Sequence, residues 1–477
     1  MSSNLFKLDN VILLKIYNIV ILLRGTYMKL SGTKNMTEGS YKKNLIYFAI
    51  PIMLSQLFQQ LYNSADSYIV GKFLGDNALA AVSSSGPLIF LLISFFTGTS
   101  MGAGVIMSRF FGACDYKRLS KAIHTNIALG LISSSVLTVF GVSMTPTILK
   151  AMGVDKEILP ESITYFKVYF AGIITVVMYN ICKSIMNAVG DSKRPLMYLI
   201  FTCVLNIILD IVLIKGFKMG VEGAAYATII SQIISVILCL IHLTKKDTVY
   251  QVRFKDIKID KEMFIDICKY GLPTGIQNSV IGFANVLVQT NVNSFGKEAT
   301  AGCGAYSKIE GFAFLPVTSF SMALSTYVGQ NLGAGKKTRV KKGANFGLIT
   351  SIVLAELIGI FIYIFAPQLI GIFSTGPKVL AIGVKQARTA ALFYCLLSFS
   401  HCIAGICRGA GKAFVPMFVM LGIWCVFRIT YITVAMKIKH EIGLLFMAYP
   451  ITWFISSVIF MIYYKKAKWM EGFNPKK

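Results

Sequence analysis

Two stretches decide the fold: FFGACDYKRLSK at 110–121 and NLGAGKKTRVKK at 331–342, which align at a separation of 221 residues. The same offset relates Gly190 and Pro195 in AVGDSKRP to Gly411 and Pro416 in GAGKAFVP. It also relates Pro146 to Pro367, Gln56 to Gln277 and Leu74-Gly75 to Phe295-Gly296, while Pro51 and Pro273 fall one residue out of step. Chance similarity between apolar segments would not hold one separation across so much of a chain. The sequence is a duplication, and both copies contain the same set of elements.

Each copy is too apolar for water. Of 477 residues, 55% are hydrophobic and 14% charged, and the mean hydropathy is +0.67. A soluble domain carries about 25% charge, so most of this chain faces something else, and disorder, collagen and coiled coil are excluded. Apolar stretches long enough to cross a bilayer, about 20 residues, fall at 44–72, 83–110, 122–147, 164–186, 196–215, 222–243, 265–295, 304–328, 345–372, 380–405, 413–437 and 442–464. No strand alternation is present, and lipid forces backbone groups to satisfy one another, so these spans are helices. The expectation is an all-α polytopic membrane protein of twelve transmembrane helices in two six-helix lobes. An even number of spans per copy gives the lobes the same orientation, about an axis along the membrane normal. The organisation read this way is a cytoplasmic or interfacial segment at 1–43, a first lobe at 44–243, a cytoplasmic linker at 244–263, a second lobe at 264–464 and a basic tail at 465–477. The apolar run within 1–27 is broken by Lys15 and lacks a small-residue cleavage site. It reads as interfacial rather than as a signal peptide, with Met28 and Met36 as alternative starts.

The net charge is +26, from 47 Lys and Arg against 21 Asp and Glu. With both termini cytoplasmic, inner segments and the span ends beside them hold 31 of the 47 bases and outer loops with their span ends 11, and Lys167, Lys183, Lys269, Lys308 and Arg428 are counted within spans. That bias follows the positive-inside rule. The charge is therefore topological, faces anionic lipid and calls for no nucleic acid. Ten cysteines stand singly with no CxxC, and four histidines form no HExxH, so no transition-metal site or other cofactor is expected. The GAGK fragments at 333–336 and 409–412 lack the strand, glycine spacing and Ser/Thr of a phosphate loop. With no nucleophile–base pair either, an enzyme is not expected.

An ionisable residue at the centre of a span costs roughly 2.5–3.5 kcal/mol on insertion scales, which makes each survivor a functional suspect. In the first span, Gln56, Gln59, Asn63 and Asp66 recur at three- and four-residue steps as one polar stripe. Such a stripe lines a cavity or another helix. In the fifth, Asp210 follows Asn206 by four residues, and the turn at 216–220 leads into a sixth span bearing Thr228. An antiparallel hairpin brings Asp210 and Thr228 to similar depth, about 12–15 Å from the outer end at 1.5 Å per residue, close to the level of Asp66. Two carboxylates with amide and hydroxyl oxygens suit Na⁺, and two close carboxylates can equally share a proton. The duplication supplies a control: Asp66, Asn206, Asp210 and Thr228 map onto Leu287, Phe427, Tyr431 and Tyr449. A purely structural requirement would have kept the polar groups in both copies. Elsewhere, Lys308 and Glu310 read as the start of the eighth span, Arg428 as paired or snorkelling, and His401 as a helix contact.

These residues resemble the MATE (multidrug and toxic compound extrusion) transporters, in particular the branch named for DNA-damage-inducible proteins. The likeness covers about residues 36–465 and is carried by MTEGSYKKNLIYFAIPIMLSQ (36–56), ADSYIVGKFLGDNALAAVS (65–83), the FFGACDYKR loop, AVGDSKRP, LNIILDIVLIKGFKMGVEGAAYATIISQ (205–232) and YVGQNLGAGK (327–336). The resemblance implies export of cationic amphipathic compounds from the bacterial cell, in exchange for Na⁺ or H⁺, by a monomer that alternates access across the cell membrane. It assigns the coupling cation to Asp66, Asn206, Asp210 and Thr228. It adds Tyr165 and Asn180 as polar neighbours in a first-lobe cavity with Gln56 and Asn63, and Pro51 as a bend point in the first helix. Asn187 stands where relatives commonly show Arg. The rival is a flippase or exporter of lipid-linked or other amphipathic metabolites. It would require several Arg or Lys in the cavity, whereas the five in-span bases are dispersed.

Overall fold

The computed structural model describes residues 35–84, 86–246, 248–373 and 376–471, and all regular structure among them is helical. The expected interfacial stretch falls on residues before 35, outside the described ones. In chain order the helices are α1 (Tyr41–Leu74), α2 (Asp76–Ser84), α3 (Gly86–Gly112), α4 (Tyr116–Ala151), α5 (Leu159–Ala171), α6 (Ile173–Ala188), α7 (Lys193–Asp210) and α8 (Val221–Leu243). The second copy supplies α9 (Lys261–Asn293), α10 (Lys297–Gly333), α11 (Lys337–Gly371), α12 (Pro377–Ala391), α13 (Tyr394–Gly409), α14 (Phe414–Met420), α15 (Arg428–Ile438) and α16 (Ile442–Lys466).

Ten of the twelve membrane crossings are single long apolar helices or bent pairs, with α5–α6 bent by 46° and α12–α13 by 55°. The remaining two, α3 and α9, are 27 and 33 residues long and pack along each other. Their contact is a seam of small residues, where Gly98 lies against Thr274 and Gly275, and Gly102 against Gly271. Backbones approach closely only where no side chain intervenes. The short α2 and the two bends were not anticipated. Hydropathy registers apolar length, and neither a nine-residue excursion nor a change of axis alters it.

The duplication reaches the backbone. Left-handed turns occur in pairs 221 residues apart: Gly75 (φ 89°) with Gly296 (φ 94°), Cys114 (φ 56°) with Gly335 (φ 71°), and Gly190 (φ 87°) with Gly411 (φ 73°). The two bends match as well, because Gly172 between α5 and α6 corresponds to Phe393 between α12 and α13.

At the end of the bundle where α1 begins, the two halves close on each other reciprocally. Gln330 on α10 donates through Nε2 to the Ala188 carbonyl at 2.7 Å, and its repeat-mate Arg109 on α3 donates through Nε to the carbonyl of Gly409, the mate of Ala188, at 3.2 Å. Gly112 abuts the Gln330 carbonyl while its mate Gly333 abuts the Arg109 carbonyl. The hydrophobic cores cross over at the same end. Leu45, Phe48, Ala49 and Ile52 of α1 join the core of α10–α13 and α16, whereas Met263 and Ile267 of α9 join that of α3–α6. Away from this end the halves separate around a cavity of about 470 Å³.

Candidate functional site

Four helices of the first half converge on the two intramembrane aspartates. Tyr62 and Asp66 are one helical turn apart on α1, Tyr165 and Tyr169 one turn apart on α5, Asn206 and Asp210 one turn apart on α7, and Thr228 lies on α8. Spacing by four puts each pair on one face of its helix. Directly after Asp210 the chain widens into a π-helical turn, Ile211–Gly216, a local rearrangement that often accompanies functional positions.

The carboxyl groups of Asp66 and Asp210 meet at hydrogen-bonding distance. Asp210 and Asn206 have no exposed surface, and Thr228 is 8% exposed. With the Asn206 amide nitrogen turned toward Asp210, it donates to Oδ2 at 3.1 Å, and the amide oxygen accepts from the Thr228 backbone N–H at 3.3 Å. The Thr228 hydroxyl accepts in turn from Tyr62 at 3.1 Å. The Oδ1 atoms of both aspartates are buried with no donor facing them. Tyr165 is buried beside this cluster and stacks on Tyr169 with ring centroids 6.3 Å apart.

Two carboxylates at hydrogen-bonding distance repel unless a proton or a metal cation lies between them. Hydroxyl, amide and carboxyl oxygens form a hard donor set, and among the described residues no group of His, Cys, Asp and Glu could hold a transition metal. The cluster has the chemistry to take either an alkali cation or a proton.

Asp66, Asn206, Asp210, Thr228 and Tyr165 are thus brought together, and the other candidates lie elsewhere. Gln56 faces the second half, accepting from the Thr318 hydroxyl at 2.5 Å, because the inner part of α1 packs on α10. Asn63 is exposed and accepts from Gln59 at 3.4 Å. Asn180 lines a separate small pocket at the seam with Lys183 and Asn187. Its amide is engaged by the Val176 carbonyl at 2.9 Å, so it does not neighbour the aspartates. Pro51 is buried within an unbroken α1, its carbonyl accepting from Ser55 at 2.8 Å. Tyr62 and Tyr169 went unnoticed in the sequence, although Tyr62 stands four residues before Asp66 and could have been found from that spacing.

The second half departs further from expectation. Glu310 is not at a helix start but well inside α10, accepting from the Tyr306 hydroxyl at 3.1 Å. Arg428 does not snorkel: it is 2% exposed. Arg408 lies beyond the apolar run that ends at 405, yet it is a buried residue of α13.

The family model described as MatE matches residues 51–212 and again 273–433, one match in each half. The chain belongs to the MatE family. It is 30% identical to the probable multidrug resistance protein YpnP of Bacillus subtilis, over 91% of this chain and 97% of that protein. It is 29% identical to the probable multidrug resistance protein YoeA of the same organism, over 91% and 95%. In fold it is similar to an outward-facing multidrug resistance MATE family transporter of the MOP superfamily, with a TM-score of 0.84 at 22% identity over 91% of this chain and 97% of that one. The all-helical architecture of two pseudo-symmetric halves is that of this family.

Proposed function

We propose that this MatE protein is a secondary active multidrug exporter of the bacterial cell membrane, a transporter rather than an enzyme. In this reading it expels cationic amphipathic compounds in exchange for Na⁺ or H⁺. The observation that carries it is the Asp66–Asp210 carboxyl pair, closed over by Asn206 and Thr228 and confined to one half of a duplicated fold. The names of the Bacillus relatives support multidrug efflux, and the motifs at 36–56 and 205–232 support the DNA-damage-inducible branch. The basic loops flank the interlocked end of the bundle, which supports placing that end and both termini in the cytoplasm. The cavity would then open outward.

Alternating access follows from competition. A cation entering between the two carboxylates draws α1 toward α7 and narrows the space beside them. Substrate arriving from the cytoplasmic side favours the arrangement in which the cation has left. Coupling is the difference in affinity of each ligand for the two arrangements. Pro51 offers α1 a point of flexure where it passes from one half to the other, because proline supplies no helical N–H.

The test is dye movement into inside-out vesicles holding the purified protein, under an imposed Na⁺ gradient and, separately, a pH gradient. Ethidium uptake driven by one gradient, and lost in Asp66→Asn and Asp210→Asn variants that still reach the membrane, is the expected result. Full transport by either variant would remove the shared site. The second reading, export of lipid-linked or other amphipathic metabolites, has one observation in its favour: two arginines gather on the wall of the central cavity.

A further inference from the structure

The carboxyl pair leaves the chemistry of the central cavity unexplained. On its second-half wall lie Arg408 of α13 and Arg428 of α15, 5% and 2% exposed. Taking a guanidinium out of water costs several kcal/mol unless a counter-charge and hydrogen bonds compensate it. Arg428 donates through Nη2 to the Thr452 hydroxyl at 2.9 Å, and Arg408 through Nη2 to the Ser321 hydroxyl at 3.0 Å. Both Nε atoms are buried without an acceptor. Among the described residues neither guanidinium has a carboxylate within 4.0 Å. The acid on the same wall, Glu310, is held by the Tyr306 hydroxyl, which also bonds Tyr394 at 2.8 Å. The wall therefore presents two guanidiniums against one carboxylate, with most of its forked N–H donors unspent.

Aromatic rings line the cavity beside Arg428. The Arg428 guanidinium sits 4.7 Å from the Tyr449 ring centroid and 5.5 Å from that of Trp424. Trp424 packs against His401 at 5.3 Å, and Phe314 meets His401 at 6.0 Å. The cavity's 470 Å³ lies within the range of small-molecule sites, about 300–1,000 Å³. A planar ligand has rings to lie on, and a carboxylate has a fork of donors to meet.

We propose that this wall is an anion subsite that takes the carboxylate of an amphipathic aromatic substrate, held by Arg428 with its ring system against Trp424 and His401, while Arg408 on the same wall adds positive charge. That the ligand is cargo rests on the efflux reading above; that it binds does not. Guanidinium and carboxylate match in a planar, bidentate geometry that a point charge cannot reproduce. Two buried guanidiniums that share a wall with one carboxylate, itself engaged by Tyr306, are relieved by a ligand that brings another. Substrates would then include compounds of zero or negative net charge, which a site made only of carboxylates would refuse.

The test compares a xanthene dye bearing a free carboxylate with its methyl ester, titrated by fluorescence anisotropy against the purified full-length protein with no ion gradient. The free acid is expected to bind about tenfold or more tightly than the ester, as one charge-assisted hydrogen bond gives. Arg428→Gln should weaken the acid by about that factor and leave the ester within about twofold, with Arg428→Lys intermediate, and Arg408→Gln should weaken the acid by less. Equal binding of acid and ester by the unaltered protein overturns the proposal without any variant needing to fold. Equal weakening of both dyes by Arg428→Gln overturns it too. An acid preference abolished by millimolar chloride or phosphate would mean a small inorganic anion site and would also remove the carboxylate assignment. Because no gradient is applied, loss of antiport leaves this result standing, and loss of this result leaves antiport standing.

Discussion

The two halves share a backbone and differ in chemistry. Left-handed turns, mid-membrane bends and interlocking glycines recur at the same offset, so the mechanics of the fold are built twice. Two pairs of charged side chains are each built once, and they differ in sign. The first half holds Asp66, half-buried, and Asp210, fully buried, where the second has Leu287 and Tyr431. The second half buries Arg408 and Arg428, where the first has Asn187 and Ile207. Each charged element abuts a π-helical stretch, Ile211–Gly216 after Asp210 and Leu421–Phe427 before Arg428, although the two stretches do not correspond in the repeat. Duplication has freed each copy to specialise its polar centre while both keep the packing that lets the halves move against each other.

The sharpest way to break this contrast is to remove the acids and alter their counterparts in parallel. Asp66→Asn and Asp210→Asn should reduce gradient-driven dye transport to background. Tyr431→Phe, at the position equivalent to Asp210, should leave it within about twofold, the scale of a substitution away from buried polar networks. Comparable losses at Asp210 and Tyr431, measured in the same vesicles, would mean that the site is not confined to one half.

The interlocked end offers the opposite experiment, in which equal effects are expected. A Cβ on Gly112 would collide with the Gln330 carbonyl, and one on Gly333 with the Arg109 carbonyl. Alanine gains about 1 kcal/mol in a helix interior over glycine, but backbone atoms in collision must move, and overpacking costs about 1–3 kcal/mol. The clash prevails. Gly112→Ala and Gly333→Ala should lower the thermal unfolding midpoint of the purified protein by similar amounts. A drop in only one of them would show that the closure is asymmetric.

The turn at Cys114 sharpens the comparison at smaller scale. Cys114 adopts φ 56° where its mate Gly335 adopts φ 71°, and a left-handed non-glycine residue costs roughly 1–2 kcal/mol. Cys114→Gly should therefore stabilise by up to about 1 kcal/mol after glycine's greater unfolded-state entropy is deducted. Gly335→Ala, with open space around the new Cβ, should destabilise by about as much. Both follow from chemical denaturation, and a stabilising Gly335→Ala would contradict the reading.

How much of this was legible in the sequence depends on which force sets each feature. The spans were legible because bilayer thickness demands length and apolarity together, and the helices end within eight residues of the expected positions for that reason. Asp66, Asn206, Asp210 and Thr228 were legible because helical spacing and one hairpin fix their relative depth. Gln56 and Asn180 were misplaced because depth does not reveal which neighbour a helix face meets: α1 changes partners along its length, packing on α10 at one end and α7 at the other. Arg408 was missed because a charge at the edge of an apolar run reads as a loop, although α13 carries it inward beside Ser321. The arginine wall exists only through packing between helices distant in sequence.

The first helix of each half is capped differently, and acid should expose the difference. Helix α1 begins on Ser40, whose hydroxyl accepts from the Lys43 N–H at 3.5 Å. Helix α9 begins on Asp260, whose Oδ1 accepts from the Met263 N–H at 3.2 Å while Oδ2 pairs with Lys121 at 2.8 Å. The Lys121 ammonium, then the Met263 N–H, hold the Asp260 carboxyl below the usual carboxylate range. A depressed carboxyl contributes stability above its unfolded value, about 3.9, and loses it as pH falls through the lower folded value. A hydroxyl does not titrate here. Hydrogen exchange, expressed as protection relative to the unfolded amide, should show Met263 losing protection on acidification while Lys43 stays constant, and Asp260→Asn should flatten the Met263 profile. The pair lies at the surface, so the effect is local and small, confined to the first turn of α9. Parallel loss at both amides would mean that acid opens the bundle as a whole, and the difference between the two caps would then have no consequence for how the halves begin.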